Sequence, residues 1–238
     1  MDAVYSVGRF QPPTIGHAAM IQALVATGKP AFVFVSSSQS PAAKNPLTSA
    51  EKVAFLRKMF PSGVTFVDTA TCSPPCGGPV AARAYLVAQG YTRLTLVGGS
   101  DREADFGPSA RIWEALIAEG QTPPAFQTLT RDATDMSSSG AAGTMSGTKA
   151  RKFVQEGARE AFRAAVTLGS VTEADADALF DLLAKRLEGP PAKRQRTGGQ
   201  EDESLFEADK ETEGGRRRKT RRRRSTRKTR RSKASGRA

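Results

Sequence analysis

Five short apolar runs, each followed by a stretch of helical spacing, restrict what this chain can fold into more than any other feature. The runs are residues 3–7 (AVYSV), 31–35 (AFVFV), 64–67 (VTFV), 94–97 (LTLV) and 125–130 (AFQTLT). AFVFV is continuous rather than alternating, as a strand buried on both faces should be. Between the runs, helical spacing covers 16–27 and 80–89, and a helix is expected over 109–119 around Trp113. Thr48 and Glu51 form a capping box, in which a hydroxyl and a carboxylate satisfy orphan amides, and this opens a helix that stops at Pro61. After a Ser/Gly-rich loop at 133–144, three helical stretches follow at 149–156, 159–166 and 172–188. Such alternation predicts parallel strands joined by right-handed crossovers. The expected fold is an open α/β/α sandwich with a five-stranded parallel Rossmann-like sheet, C-terminal helices and a disordered basic tail. Ligands of such sheets bind beyond the carboxyl ends of the strands, where the strand order reverses.

Charge divides the chain. Residues 1–189 carry 18 basic and 17 acidic side chains, whereas 190–238 carry 18 and 7. The net charge of +12 therefore belongs almost wholly to the tail. The tail opens at Gly189-Pro190-Pro191, passes through an acidic block at 201–213 and ends in a basic block at 216–237, with too few apolar residues to offset the entropy of ordering. The two cysteines, Cys72 and Cys76, are expected as free thiols, a local disulfide being the alternative, and the one histidine cannot complete a four-ligand zinc site with them. No run approaches the roughly 20 apolar residues of a membrane span. No secretory leader is read at the N-terminus, so the expected location is intracellular and soluble.

The only histidine, His17, lies in GRFQPPTIGH at 8–17, on the first strand-to-helix turn. A lone histidine is most often an ordinary core or surface residue, but this one stands where a parallel sheet binds ligands. Gly8 and Gly16 allow close backbone approach, and the helix from about Gly16 offers its N-terminal dipole to an anion. Thr14 places a hydroxyl three residues before His17, so both side chains can face one pocket. An imidazole there can stabilise charge that builds up on an α-phosphate.

GRFQPPTIGH resembles the G-x-F-x-P-x-H/T-x-G-H signature of the nucleotidyltransferase superfamily, which includes cytidylyltransferases, pantetheine-phosphate adenylyltransferase and nicotinamide-mononucleotide adenylyltransferase. Thr14 replaces the first histidine of that signature, and Pro12-Pro13 adds a residue before it. The family's second motif, I/M-S-S/G-T-x-x-R, is matched by MSGTKAR at 145–151, and its glycine–aspartate loop by GGSDR at 98–102. All three stand in family order, over about residues 3–160. The segment SQSPAAKNPLTSAEKVAFLRKMFP at 38–61 makes the resemblance closest to cytidylyltransferase-like proteins of phages and large DNA viruses.

The resemblance implies direct in-line attack by a small phosphorylated or hydroxylated acceptor on the α-phosphorus of ATP or CTP, with pyrophosphate leaving. It assigns His17 to transition-state stabilisation and Thr14 to the phosphates. Ser146, Thr148 and Arg151 would hold the β- and γ-phosphates, with Lys44 reaching the triphosphate from its loop or standing solvated. Gly8, Arg9, Phe10, Gly16 and Gly98 fall on nucleotide-binding positions. Asp101 would read the base or ribose, or cap the next helix. Mg²⁺ should arrive with the triphosphate rather than in a protein cage. The catalytic domain would be 1–160, with a helical extension at 161–189 and the charged tail at 190–238. TIGH and MSGTK are also cousins of the HIGH and KMSKS motifs of class I aminoacyl-tRNA synthetases, but the body is too short for an editing insertion and an anticodon-binding domain.

The tail carries no aromatic residue in its arginine-rich block (Arg216, Arg217, Arg218, Arg221, Arg222, Arg223 and Arg224), so it would bind nucleic acid by charge alone, without reading sequence. PPAKRQR at 190–196 resembles a short nuclear-import signal, so a nuclear or virion location is open, as is a merely solubilising role. The competing function is a nucleic-acid-associated or virion-packaged binding protein with a relic body. Intact TIGH and SGTxxR elements favour the enzyme.

Overall fold

Side chains that alternate between two covered faces make the five runs into one sheet, with the first two buried almost throughout. In the computed structural model, which describes residues 1–99, 102–129 and 145–188, the strands are β1 (Asp2–Gly8), β2 (Ala31–Val35), β3 (Thr65–Asp68), β4 (Arg93–Gly99) and β5 (Ala125–Leu129). All are parallel, in the order β3-β2-β1-β4-β5. The chain winds one way from β1 to β3 and then returns to the other side of β1, so the order reverses between β1 and β4. Clefts for ligands form at that point, beyond the carboxyl ends of both strands.

The eight helices of the described residues are α1 (Ala18–Ala26), α2 (Ser49–Met59), α3 (Gly78–Ala88), α4 (Glu103–Phe106), α5 (Glu114–Ala118), α6 (Gly147–Gln155), α7 (Arg159–Val166) and α8 (Glu173–Glu188). Val4, Val33, Val35 and Val97 point to the face covered by α1 and α2, through Ile21, Leu24, Val53 and Leu56. Ala3, Tyr5, Phe34 and Leu96 point the other way, against Ala82 and Leu86 of α3 and the fully buried Trp113. A third cluster joins Leu47, Phe55 and Met59 to Val154, Phe162, Ala176 and Leu183, so the late helices pack on the far side of α2. All described residues belong to one compact unit. Among them, no helix is long and apolar enough to cross a membrane.

Three expectations are corrected. The helix expected over 109–119 starts as a 3₁₀ turn, Arg111–Trp113, and only Glu114–Ala118 is α-helical. The Trp113 indole N–H donates to the Phe106 carbonyl (3.1 Å), which pins this turn under the short α4. The helix expected from Gly16 also begins as a 3₁₀ turn, Ile15–His17, before α1. Finally, Cys72 and Cys76 are paired as a disulfide rather than free; the Pro74-Pro75 turn brings their Cα atoms to 5.7 Å, within bridging range. The loop at 133–144, Asp101 and the tail, with its arginine block, lie outside the described residues.

Candidate active site

The turn after β1 is built around one side chain. Phe10 is buried and has φ of +50°, a region that costs a residue with a Cβ. This backbone turns its ring back over Gly8, where an added Cβ would lie 2.6 Å from Phe10 Cε2. The bareness of Gly8 therefore makes room for the Phe10 ring. The same ring packs against the His17 imidazole, with centroids 4.8 Å apart.

Thr14 is fully buried. Its N–H donates to His17 Nδ1 (3.0 Å), and its Oγ1 lies 3.1 Å from the same nitrogen. Nδ1 also lies 3.2 Å from the Thr14 carbonyl, and only a neutral ring with its proton on Nε2 lets Nδ1 accept the amide N–H. The His17 N–H in turn donates to the Thr14 carbonyl (3.0 Å), which closes the 3₁₀ turn. Thr14 thus orients the half-buried imidazole, and Gly16 sits half-buried between the two.

The late motif meets this turn directly. An added Cβ on Gly147 would lie 2.5 Å from the Gln11 carbonyl oxygen and 3.3 Å from that of Pro12, so only glycine lets the start of α6 come this close. Arg151 donates to the same Gln11 carbonyl and to Thr148 Oγ1 (3.3 Å). Ser146 caps α6, accepting the Lys149 N–H (3.2 Å), and Thr148 is exposed on its first turn. Ser146, Thr148 and Arg151 are therefore brought against the His17 turn from 130 residues away in the chain, at a helix N-terminus whose dipole favours anions.

Lys44 is exposed in a turn closed by its own N–H to the Pro41 carbonyl (3.0 Å). Its side chain makes no hydrogen bond or ion pair among the described residues. Gly98 sits at the carboxyl end of β4 beside the Phe126 ring. Arg9 is half-buried, with its carbonyl turned inward to a lysine.

That lysine is one of three residues that the sequence reading missed. Lys52 of α2 is fully buried, and its ammonium donates to the carbonyls of Arg9 (2.9 Å) and Ser36. Burial pushes it down to about 8, against the charge of Asp68, which raises it, and with that of Arg9, which lowers it. Gln11 is the second: its amide nitrogen donates to the Leu47 carbonyl (2.8 Å) and its oxygen accepts the Leu47 N–H (3.0 Å). Gly147 is the third. A signal for Lys52 was present, since it shares the buried stripe of Ser49, Val53, Leu56 and Met59.

Outside the turn, Arg186 of α8 donates from both guanidinium nitrogens to Glu51 (2.7 Å each) and also to the Pro46 carbonyl (2.8 Å). This pairing holds the Glu51 carboxyl down at about 2. Glu51 keeps its capping box, accepting the Thr48 N–H (2.8 Å), so α8 grips the same α2 start that Gln11 grips from the other side.

Residues 5–74 match the family model described as Cytidylyltransferase-like. Among solved structures, one of a Vibrio parahaemolyticus protein described as a nicotinate-nucleotide adenylyltransferase superposes with a TM-score of 0.50 at 15% identity, covering 75% of this chain and 97% of that one. A bifunctional NMN adenylyltransferase/ADP ribose pyrophosphatase from Francisella tularensis, complexed with AMP and a manganese ion, gives 0.49 at 13% identity, over 79% and 52%. The nicotinic acid mononucleotide adenylyltransferase of Plasmodium falciparum gives 0.47 at 12%, over 76% and 98%. No curated protein matches the chain. At such identities the likeness is one of fold, and the family match covers the His17 turn but ends before the late motif.

Proposed function

We propose that the chain is a nucleotidyltransferase that moves a nucleoside monophosphate from ATP or CTP to a small phosphorylated or hydroxylated acceptor, releasing pyrophosphate. One observation carries the reading: the start of α6 docks on the Gln11 carbonyl through Gly147 and Arg151, so the late motif meets the turn that leads to His17. His17, oriented by Thr14, would donate from Nε2 to the oxygen that gains charge in an in-line attack. Thr148 and Arg151 would meet charge already present on the β- and γ-phosphates, with Lys44 closing from its exposed turn. Such catalysis is positioning plus charge stabilisation.

The groups so gathered are imidazole, hydroxyl and guanidinium, which suit phosphate oxygens. Among the described residues, no three His, Cys, Asp or Glu side chains gather to hold a metal ion. Mg²⁺ would arrive with the triphosphate, held by its oxygens and water and supplying charge neutralisation on the phosphates.

The test is pyrophosphate release from ATP and from CTP with a panel of acceptors, nicotinic acid mononucleotide first because of the shared fold. Release that needs one triphosphate and one acceptor, and disappears in His17→Ala, is expected. Absence of release with every pair, together with nucleic-acid binding by the body alone, would overturn the proposal in favour of a relic binding module.

A further inference from the structure

We infer that Lys52 is a positioning residue for nucleotidyl transfer: its ammonium, shared between the Arg9 and Ser36 carbonyls, fixes the turn that presents Thr14 and His17. The inference rests on the function proposed above. Its basis is the oddity of a cation at this place. Lys52 is fully buried on the fourth residue of α2, near the helix end whose dipole repels positive charge. Among the described residues its hydrogen-bond acceptors are two backbone carbonyls, and no carboxylate touches it. A buried charge without a carboxylate partner is destabilising, and an apolar side chain of similar volume would serve stability better.

What the charge does provide is a clamp between two strand ends. The Ser36 N–H donates to the Gly8 carbonyl (2.9 Å), so Ser36 already extends the β1–β2 ladder by one rung. Lys52 adds the next link, from the Ser36 carbonyl to the Arg9 carbonyl. Directly after Arg9 comes Phe10, in its unfavourable backbone conformation, with its ring against His17. Holding the Arg9 peptide therefore holds the residue whose ring packs on the imidazole. From the far side, Gln11 is held by Leu47 at the start of the same helix. Helix α2 thus grips the turn on both sides of Phe10, and Lys52 is the charged half of the grip.

The charged groups acting on the ammonium are Asp68 at the end of β3 and Arg9 on the turn, while Glu51, its neighbour on α2, is engaged by Arg186 of α8. With the lysine pushed down to about 8, it changes charge within a range where enzymes are assayed. Above that pH it becomes an amine with one proton fewer and no charge, and the clamp weakens.

The experiment compares the full chain with Lys52→Met and Lys52→Arg. Hydrogen exchange of the peptides covering residues 9–17, corrected for intrinsic rate, reads the turn without any reference to activity. Exchange there is expected to rise in Lys52→Met and return toward the original in Lys52→Arg. Turnover is expected to fall about 10- to 100-fold in Lys52→Met, the range for a misplaced catalytic group, with a much smaller change in triphosphate KM. Turnover of the unaltered chain should decline through about pH 8, and Lys52→Arg should remove that decline. Should Lys52→Met not fold, the pH profiles of the other two chains decide alone. Unchanged exchange at 9–17 in Lys52→Met, or a decline above pH 8 that persists in Lys52→Arg, overturns the inference. If the unaltered chain releases no pyrophosphate at all, the proposed function fails while the exchange result still tests the clamp.

Discussion

The pair between Glu51 and Arg186 offers the most direct measure of what joins the late helices to the sheet-facing helix α2. The perturbations are Glu51→Gln, which still accepts from Thr48, Arg186→Met, which keeps the apolar stem, and both together. A carboxyl held at about 2 instead of 4.5 would correspond to about 3 kcal/mol if taken whole. Each side chain is 33% exposed, however, so solvent screening reduces the expected coupling to about 1–2 kcal/mol. For a folded body of this size that means a fall in Tm of about 3–6 °C for either single variant. Urea unfolding of the four proteins gives the coupling directly as a double-mutant cycle. The pH dependence has a definite sign. Because the folded-state carboxyl is depressed, its contribution is complete above the unfolded value near 4.5 and is lost as pH falls toward 2. A coupling below about 0.3 kcal/mol at pH 7, the usual additivity error, would refute the reasoning, as would a coupling that survives unchanged at the acid end.

His17→Ala is expected to lower turnover far more than triphosphate affinity, since its charge partner appears mainly in the transition state; calorimetry alongside pyrophosphate release checks both. Gly147→Ala should destabilise the body by about 1–3 kcal/mol, because its Cβ would sit 2.5 Å from a backbone oxygen rather than a yielding side chain. The same variant should lose triphosphate affinity as α6 is pushed off the turn, read by calorimetry with a non-hydrolysable analogue. Deleting residues 190–238 should leave that affinity unchanged. The full-length chain alone should bind duplex DNA or RNA, with an affinity that falls by orders of magnitude between about 50 and 200 mM salt. Filter binding that survives the deletion would place the nucleic-acid surface on the folded body.

The strands were legible because their burial is carried by the residues themselves. AFVFV has the continuous apolar pattern of a strand buried on both faces, and β2 is Ala31–Val35. The Thr48–Glu51 box marked the start of α2 to the residue, since a cap is a local hydrogen-bond pattern written in four positions. Where the outcome depends on how the chain folds back on itself rather than on a local pattern, the reading slipped. The helix around Trp113 is cut short by an indole bond to Phe106, and nothing in 109–119 announces it. The cysteine pairing depended on how far the Pro74-Pro75 turn folds back, a distance that composition does not contain.

The candidate site divides in the same way. Thr14 and His17 are three residues apart, so their meeting is local, and the hydrogen bond between them follows from the turn. Ser146, Thr148 and Arg151 were placed near them only through a resemblance; of the residues that make the contact, Arg151 was named, but Gly147 and Gln11 were passed over. Gly147 looks like a flexible spacer in SGT until a carbonyl from 136 residues earlier fills the space its side chain would take. Lys52 looks like half of a charged EK pair until its head is found under the β1 turn, away from Glu51, which faces Arg186 instead. In each case the residue acts on backbone, and a backbone carbonyl has no letter in a sequence. Side chains that would meet substrate can be read as chemistry in a motif. Those that hold the motif in shape gain that meaning once the two strand ends, the capped helix and the late helix are seen to converge on one turn.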